Sequence, residues 1–169
     1  MKDFAGKIAV ITGGGTGMGR ELARQLVAEG CNVAMCDVSV DAMAETKRLC
    51  EVQKLPQGLR VTTHIADVSI EDQLLRFRDE IAEQQSTDKV HLLFNNAGIG
   101  GGGSLFTNSR EQWERTFNIS WGGVYFGVRT FPFAVFLLQF FFAVFLRGES
   151  IPLPRRAFPS ARPIAPVPP

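Results

Sequence analysis

Residues 7–30, KIAVITGGGTGMGRELARQLVAEG, run from an apolar stretch through a glycine-rich turn into a helical pattern. The order of strand, glycine turn and helix is the layout of a dinucleotide site. A helix start offers unpaired backbone N–H groups and a partial positive charge, and glycines let the main chain approach a pyrophosphate closely enough to use both. The stretch therefore predicts a dinucleotide-binding turn, with a glycine turn that holds no ligand as the alternative.

The chain that follows continues this pattern and supplies a carboxylate. Asp37 closes the apolar run 32–36, at about the distance along the chain at which a ribose-binding acid is expected. Strand-like runs lie near 7–12, 32–37, 59–66 and 90–95, and helical patterns lie near 18–29, 41–54, 70–85 and 111–130. Their alternation predicts βαβ units, and hence an α/β fold whose parallel sheet is covered by helices on both faces.

The glycine turn and three further motifs carry a resemblance to a known family. The turn has the spacing Thr12-Gly13-x-x-x-Gly17-x-Gly19, Asp67-Val68 ends the third apolar run, and Asn95-Asn96-Ala97-Gly98 ends the fourth. Trp113-Glu114-Arg115-Thr116-Phe117, leading into Gly123, begins the long helical pattern. In this order and spacing, residues 1 to about 131 resemble the cofactor-binding half of the classical short-chain dehydrogenase/reductase family.

The resemblance implies a Rossmann-like sheet, a nicotinamide dinucleotide and a small-molecule alcohol or carbonyl substrate, between which the family transfers a hydride. It implies these cofactor-binding residues: Thr12, Gly13, Thr16, Gly17, Met18, Gly19, Asp37, Asp67, Val68, Asn95, Ala97 and Gly98.

Charge favours NAD over NADP at this site. Asp37 can accept hydrogen bonds from both ribose hydroxyls of NAD, whereas the 2′-phosphate of NADP would face a carboxylate. The positions at which NADP-dependent family members often carry a basic residue hold Thr16 and Val38. We therefore expect NAD as the cofactor.

The catalytic residues that the resemblance implies are absent. The family uses a Ser, a Tyr and a Lys four residues after that Tyr, but the only tyrosine is Tyr125 and the last lysine is Lys89. Arg129 stands four residues after Tyr125, and we interpret this pair as a chance pairing on a helix face. Arginine is also a poor substitute, because it stays protonated and its fork has a different shape from an ammonium group.

The asparagine that many family members carry on this helix is also missing. Counted from Trp113 and from Gly123, its position is Ser120. Asn118 lies two residues away, about 200° around a helix, and is expected to point elsewhere. The chain is therefore predicted to be catalytically incompetent, with no catalytic residue assigned.

Composition excludes several other classes of protein. A net charge of +1 with interspersed acids and bases gives no basic field for nucleic acid. Cys31, Cys36 and Cys50 form no CxxC pair, and His64 and His91 have no ligand-spaced neighbours, so neither a disulfide framework nor a metal site is expected. No cleavable signal is visible at the N-terminus, and we expect a cytoplasmic protein.

The resemblance stops near Phe131. The chain is expected to divide into three parts: a dinucleotide-binding part, 1–130, a Phe-rich apolar segment, 131–146, and a Pro/Arg-rich tail, 147–169. The tail is expected to be disordered or polyproline-like. A helix over 131–146 would be apolar all round and would need burial in protein or lipid.

Three explanations for this C-terminal part remain open. One is a truncated or frame-altered form of a family enzyme. Another is a membrane anchor, although sixteen apolar residues fall short of the ~20 that a span needs. The third is a helix buried against a partner protein, in which case the chain is an NAD-binding module tethered through 131–146.

Self-association is a further expectation. A sheet that ends after its fourth strand and the following helix leaves 90–95 as a bare apolar edge, which would template association with other chains. The Phe-rich segment would add exposed apolar surface to this edge.

Overall fold

The computed structural model describes residues 4–52, 55, 57–87, 89–100 and 106–132, together with the backbone of Phe136–Gln139. Within these residues a parallel sheet is covered by helices on both faces. The strands are β1 (Ile8–Thr12), β2 (Asn32–Asp37), β3 (Val61–Ile65), β4 (Leu92–Asn95) and β5 (Phe136–Gln139). The helices are α1 (Gly17–Ala28), α2 (Val40–Cys50), α3 (Glu71–Gln85), α4 (Arg110–Phe117) and α5 (Gly123–Thr130), and a π-helical turn, Asn118–Gly122, joins α4 to α5.

The strand order is β3-β2-β1-β4-β5, and every neighbouring pair is parallel. The chain builds β2 and β3 on one side of β1, then crosses back to place β4 on the other side. Open α/β sheets bind ligands in the crevice outside the carboxyl ends of their strands at such a reversal. The Rossmann-like fold predicted from the sequence is therefore confirmed, and its crevice lies between the ends of β1 and β4.

The central strands are buried because each face of the sheet has its own apolar layer. Successive side chains of a strand point to opposite faces, so Ile11 packs with Leu26 of α1 in one layer while Val10 packs with Leu74 and Phe77 of α3 in the other. All five residues of β1 are buried. This near-continuous apolar character is what a parallel sheet covered on both faces requires.

The three cysteines belong to these layers as free, buried thiols. Burial raises the pKa of Cys31 and of Cys50 to about 11. Burial and the neighbouring charge of Asp37 also raise the pKa of Cys36. The thiols are therefore protonated near neutral pH and pack as small apolar groups.

The fifth strand corrects two expectations for the segment after α5. Phe136–Gln139 is extended and pairs with β4, so that Leu92 lies opposite Phe136 and Asn95 opposite Gln139. The edge of β4 is thus covered, and a continuous helix over 131–146 is wrong for these residues. Two effects explain the change: Pro132 disfavours a helical backbone at Phe131, and aromatic residues favour strands. Residues 140–169 lie outside the described residues.

A row of exposed aromatic side chains lies on α4, the π turn and α5. Trp113, Phe117, Trp121 and Tyr125 recur every four residues and are each about half exposed. The rings of Trp113 and Phe117 stack with centroids 5.1 Å apart, and those of Phe117 and Trp121 with centroids 6.3 Å apart. Self-association stays a prediction, and we now expect it at this aromatic row and not at the covered edge of β4.

The part of the chain that the structure describes contains no helix with both the length and the hydropathy needed to cross a membrane.

Candidate functional site

A cleft of about 500 Å³ opens at the carboxyl ends of the strands. Its volume lies in the range of sites for small molecules and cofactors. The residues that line it come from the ends of β1, β2, β3 and β4 and from one side of α4 and the π turn: Gly13, Asp37, Val38, Ala66, Asp67, Val68, Ser69, Ala97, Gly98, Ile99, Glu111, Glu114, Arg115, Asn118 and Ile119.

The glycine turn brings the main chain close to the neighbouring strand. Gly13 has φ +68°, and a Cβ there would lie 2.8 Å from Cα of Ala97. A Cβ on Gly19 would collide with the carbonyl oxygen of Gly13 and approach Nδ2 of Asn96 to 2.6 Å. Larger residues are therefore excluded at both positions, and the turn packs directly against the end of β4.

The start of α1 has neither a side-chain cap nor an acidic residue in its first turn. Thr16 occupies the N-cap position but makes no capping hydrogen bond. In contrast, Ser39 caps α2, and Ser109 forms a capping box at α4. The first N–H groups of α1 are therefore available to an external anion, which the helix dipole also favours.

A hydrogen-bonded junction ties the end of β1 to the end of β4. The hydroxyl of Thr12, which is 2% exposed, accepts the backbone N–H of Asn96 at 3.1 Å and that of Ala97 at 3.0 Å. The side-chain amide of Asn96 donates to the carbonyl oxygens of Thr12 and Gly13, both at 3.0 Å. These bonds hold the glycine turn and the Asn96-Ala97-Gly98 segment at a set separation on the two sides of the crevice.

Asp37 is held at the end of β2 by two backbone donors. Gly15 N–H donates to Oδ2 at 2.9 Å, and Ser39 N–H donates to Oδ1 at 3.1 Å. A Cβ on Gly15 would lie 2.8 Å from Oδ2, so the glycine is needed for this contact. Because each carboxylate oxygen has a second lone pair, Asp37 can still accept two hydroxyl groups from a ligand.

Arg20 stands behind the turn with its guanidinium already bonded. It donates to the carbonyl oxygen of Gly15 at 2.6 Å and to the hydroxyl of Thr46 at 3.0 Å. A longer bond of 3.4 Å reaches the carbonyl oxygen of Ala42. Arg20 therefore braces the turn against α2, and it is not among the residues that line the cleft.

Asp67 and Val68 form the side of the cleft next to β3. Oδ1 of Asp67 accepts both the N–H and the hydroxyl of Ser69, at 2.9 and 2.7 Å. Its other oxygen, Oδ2, has no hydrogen bond among the described residues and can accept one from a ligand. Val68 packs on Gly123, where a Cβ would lie 2.7 Å from Cγ2 of the valine.

The structure brings half of the expected cofactor residues to the cleft surface. Six of them line it: Gly13, Asp37, Asp67, Val68, Ala97 and Gly98. Thr16, Gly17 and Met18 form the start of α1, whereas Thr12 and Gly19 lie beneath the turn and hold its shape. The expected residues thus divide into those that can touch a ligand and those that support them.

Asn95 and Asn96 have different environments. The side chain of Asn95 is 2% exposed, faces Gly127 of α5 and has no hydrogen-bond partner in the described chain, so only its backbone can serve the cleft. Asn96 makes the junction with Thr12 and was missed as a site residue. Strand alternation alone could have separated them, because adjacent side chains at a strand end point to opposite faces.

Asn118 corrects one geometric expectation. Its side chain lines the cleft, although it was expected to point away from the site. The reason is that Asn118, the first residue of the π turn, continues the helical spacing of Glu111 and Arg115 on α4. Ser120 lies instead beside Gly98, with its hydroxyl 3.6 Å from the place that a Cβ on this glycine would take.

Tyr125 is on α5, half exposed and away from the cleft lining. Its hydroxyl lies 3.4 Å from Nη1 of Arg129, whose Nε lies 3.4 Å from Glu71.

Neither histidine is placed as a metal ligand. His64 is buried between Glu80 and Thr62, and Nδ1 of His91 accepts the backbone N–H of Ile8. Among the described residues no three His, Cys, Asp or Glu side chains form a group that could hold a metal ion.

Comparisons with known proteins agree with this architecture. A sequence model of the family described as short chain dehydrogenase matches residues 7–134. The chain is 34% identical over 123 residues to a meso-2,3-butanediol dehydrogenase of Serratia marcescens, a match that covers 73% of this chain and 46% of that protein. It is also 34% identical to an L-rhamnose 1-dehydrogenase (NADP(+)) of Thermoplasma acidophilum, over 75% of this chain and 48% of that one.

A solved structure gives the same result in three dimensions. The crystal structure of a short chain dehydrogenase/reductase from Burkholderia phymatum, in complex with NAD, is similar with a TM-score of 0.71 at 38% identity. The match covers 79% of this chain and 46% of that chain. The chain therefore spans about half the length of the curated relatives it matches.

The junction at Thr12 gives a test of what holds the cleft together. Thr12→Val keeps the shape of the side chain but leaves the N–H group of Ala97 without its acceptor and that of Asn96 with only the carbonyl oxygen of Phe94, 2.9 Å away, whereas Thr12→Ser keeps the hydroxyl. We expect the valine variant to lower the free energy of unfolding in urea by about 2 kcal/mol. The serine variant should lose less than half as much. Equal losses in the two variants would mean that packing, and not the hydrogen bonds, stabilises the junction.

Proposed function

Because this chain belongs to the short-chain dehydrogenase/reductase family, we propose that it binds NAD(H) in the cleft and, in the form of these 169 residues, does not turn over a substrate. The reaction class to which it is related is hydride transfer between nicotinamide and a small alcohol or carbonyl compound. The observation that carries the proposal is the pairing of an uncapped, acid-free start of α1 with a backbone-held carboxylate, Asp37, across the glycine turn.

The proposed arrangement assigns each half of the dinucleotide to one side of β1. The pyrophosphate lies on the N–H groups of Thr16–Gly19 and beside Gly13, where the helix dipole favours negative charge. The adenosine half extends over β2 and β3, with its ribose on Asp37 and its base near Asp67 and Val68. The nicotinamide half extends towards β4, along the backbone of Asn95 and past Ala97 and Gly98. The sheet order supports this division, because β2 and β4 lie on opposite sides of β1.

NAD is proposed as the cofactor on electrostatic grounds. The NAD complex and the NADP(+) enzyme among the similar proteins show that the fold itself accepts either cofactor. In this chain both oxygens of Asp37 are fixed at the ribose position, and the cation nearest the turn, Arg20, already donates to Gly15 and Thr46. A 2′-phosphate would therefore meet a carboxylate without gaining a free cation from the glycine turn.

Catalytic incompetence is proposed from the residues of the chain itself. Proton transfer by a phenol with a reference pKa of about 10 requires a neighbouring cation that lowers this pKa towards neutrality. Tyr125 is the only tyrosine of the 169 residues, and its cation is Arg129, which is shared with Glu71. Tyr125 also lies outside the cleft lining. A group that transfers a proton to a bound substrate would need to be part of that lining.

The C-terminal segment is proposed to come from an altered reading frame in a gene of this family. The family match ends at residue 134, close to Phe131, where the motifs stop. A tether through 131–146 is less favoured, because Phe136–Gln139 is hydrogen-bonded to β4 and is not available to a membrane helix.

Reading the nucleotide sequence around codon 131 in all three frames tests the proposal of an altered reading frame. A second frame that encodes a serine-bearing strand and Tyr-x-x-x-Lys is expected, and its absence would contradict the frame change.

The cofactor preference is tested by calorimetric titration of the full chain with NAD+ and NADP+. We expect NAD+ to bind at least tenfold more tightly, because repulsion between the 2′-phosphate and Asp37 exceeds about 1.4 kcal/mol. Asp37→Asn should narrow the preference, and Asp41→Asn, at an exposed position in the first turn of α2, should leave it unchanged. Equal or tighter binding of NADP+ by the unmodified chain would overturn the assignment.

The absence of turnover is tested by following nicotinamide absorbance with a panel of secondary alcohols and ketones. No rate above the protein-free blank is expected, because no residue can supply the proton from the cleft. Tyr125→Phe is the control if a weak rate appears. Loss of such a rate in this variant would show that the Tyr125–Arg129 pair is catalytic after all.

A further inference from the structure

Arg115 lines the cleft without an acidic partner. Nearby on α4, Arg110 donates to Glu114 at 2.7 Å and does not line the cleft. Glu111 precedes Arg115 by four residues, which is the spacing and order that favours a helical ion pair. No ion pair between them, or between Arg115 and any other acid, occurs among the described residues. Arg115 is therefore a cation of the cleft lining whose guanidinium has no hydrogen bond or ion pair among the described residues.

The other charged residues that line the cleft are all carboxylates: Asp37, Asp67, Glu111 and Glu114. A lining of this composition repels an anionic ligand, because like charges oppose each other across a narrow cleft. A dinucleotide carries a pyrophosphate, and the start of α1 offers it only partial charges. Arg115 is the cation of the lining that can offset this repulsion.

We propose that Arg115 binds a phosphate of the dinucleotide from the α4 side of the cleft, opposite the glycine turn, and so determines the affinity for the cofactor. This inference rests on the proposed function. A guanidinium suits the role because its planar fork donates two parallel hydrogen bonds to phosphate oxygens. Arg115 belongs to the Trp113–Phe117 motif, from which no cofactor residue was predicted. Part of the affinity of this chain for the dinucleotide is thus assigned to Arg115.

The test compares ligands with and without phosphate. Isothermal titration of the full chain with ADP and with adenosine is carried out for the unmodified protein, Arg115→Gln, Arg115→Lys and Arg78→Gln. We expect Arg115→Gln to weaken ADP about tenfold and to leave adenosine within twofold. Arg115→Lys should recover part of the loss, because it keeps the charge but not the fork. Arg78→Gln removes an exposed arginine of α3 that pairs with Asp79 outside the lining, and this control should bind both ligands as the unmodified chain does.

Ionic strength supplies a second readout that a merely structural role would not change. ADP binding by the unmodified chain should weaken with added salt more steeply than binding by Arg115→Gln, since one charge contact has been removed. Unchanged ADP affinity in Arg115→Gln, or equal losses of ADP and adenosine, would overturn the inference while leaving the proposed function intact. Failure of the unmodified chain to bind ADP and NAD+ at all would remove the proposed function, and the inference with it.

Discussion

The hydroxyl of Thr12 is the contact on which the rest of the cleft depends. It is a single buried atom that accepts N–H groups from both Asn96 and Ala97, and so it joins the ends of two strands that are 82 or more residues apart in the chain. Through the side-chain amide of Asn96 the same junction reaches the carbonyl oxygen of Gly13. The glycine turn is therefore positioned from β4 as well as from β1. The proposed contacts of the pyrophosphate with the glycine turn and of the nicotinamide half with Ala97 and Gly98 are made from this frame.

Around that frame, the charges of the cleft are divided between its two sides. The start of α1 provides N–H groups and no competing acid, while the α4 side and the ends of β2 and β3 provide carboxylates. The N–H groups of Gly15 and Ser39 hold Asp37 in place before a ligand binds. Binding ribose hydroxyls to this carboxylate therefore costs little conformational entropy. This arrangement favours a ligand with neutral hydroxyls at one end and phosphate in the middle. This arrangement is the basis for the proposal that the cleft binds NAD and opposes an additional phosphate at Asp37.

The sequence predicted the fold well because the signals that determine it are local. The apolar runs around Val10, Val33 and Leu93, separated by helical patterns, identified β1, β2 and β4, and the glycine turn located the crevice. The side chain of Asn95 was harder to place, since a motif names residues without saying which face of a strand end each one takes. Asn118 was misplaced for a related reason: its direction was judged relative to Ser120 and not relative to the cleft.

β5 could not be predicted, because two local preferences conflict there. The apolar run after Pro132 is compatible with a helix that is apolar on all sides and also with a buried strand. Periodicity cannot distinguish these two structures. What decides between them is long-range: the open edge of β4 offers backbone partners that a helix would leave unused. Arg115 was overlooked as a binding residue for a similar reason, since its lack of an acidic partner is visible only once α4 is placed beside the cleft.

The central claim is that the junction between β1 and β4 shapes a site for NAD, and a crystal structure of the chain grown with saturating NAD+ tests it most directly. The account predicts electron density for one dinucleotide, with its pyrophosphate at the start of α1, its adenosine ribose within hydrogen-bonding distance of Asp37, and its nicotinamide half beside Gly98. An empty cleft under those conditions, or a dinucleotide bound with its adenosine half over β4, would contradict the account.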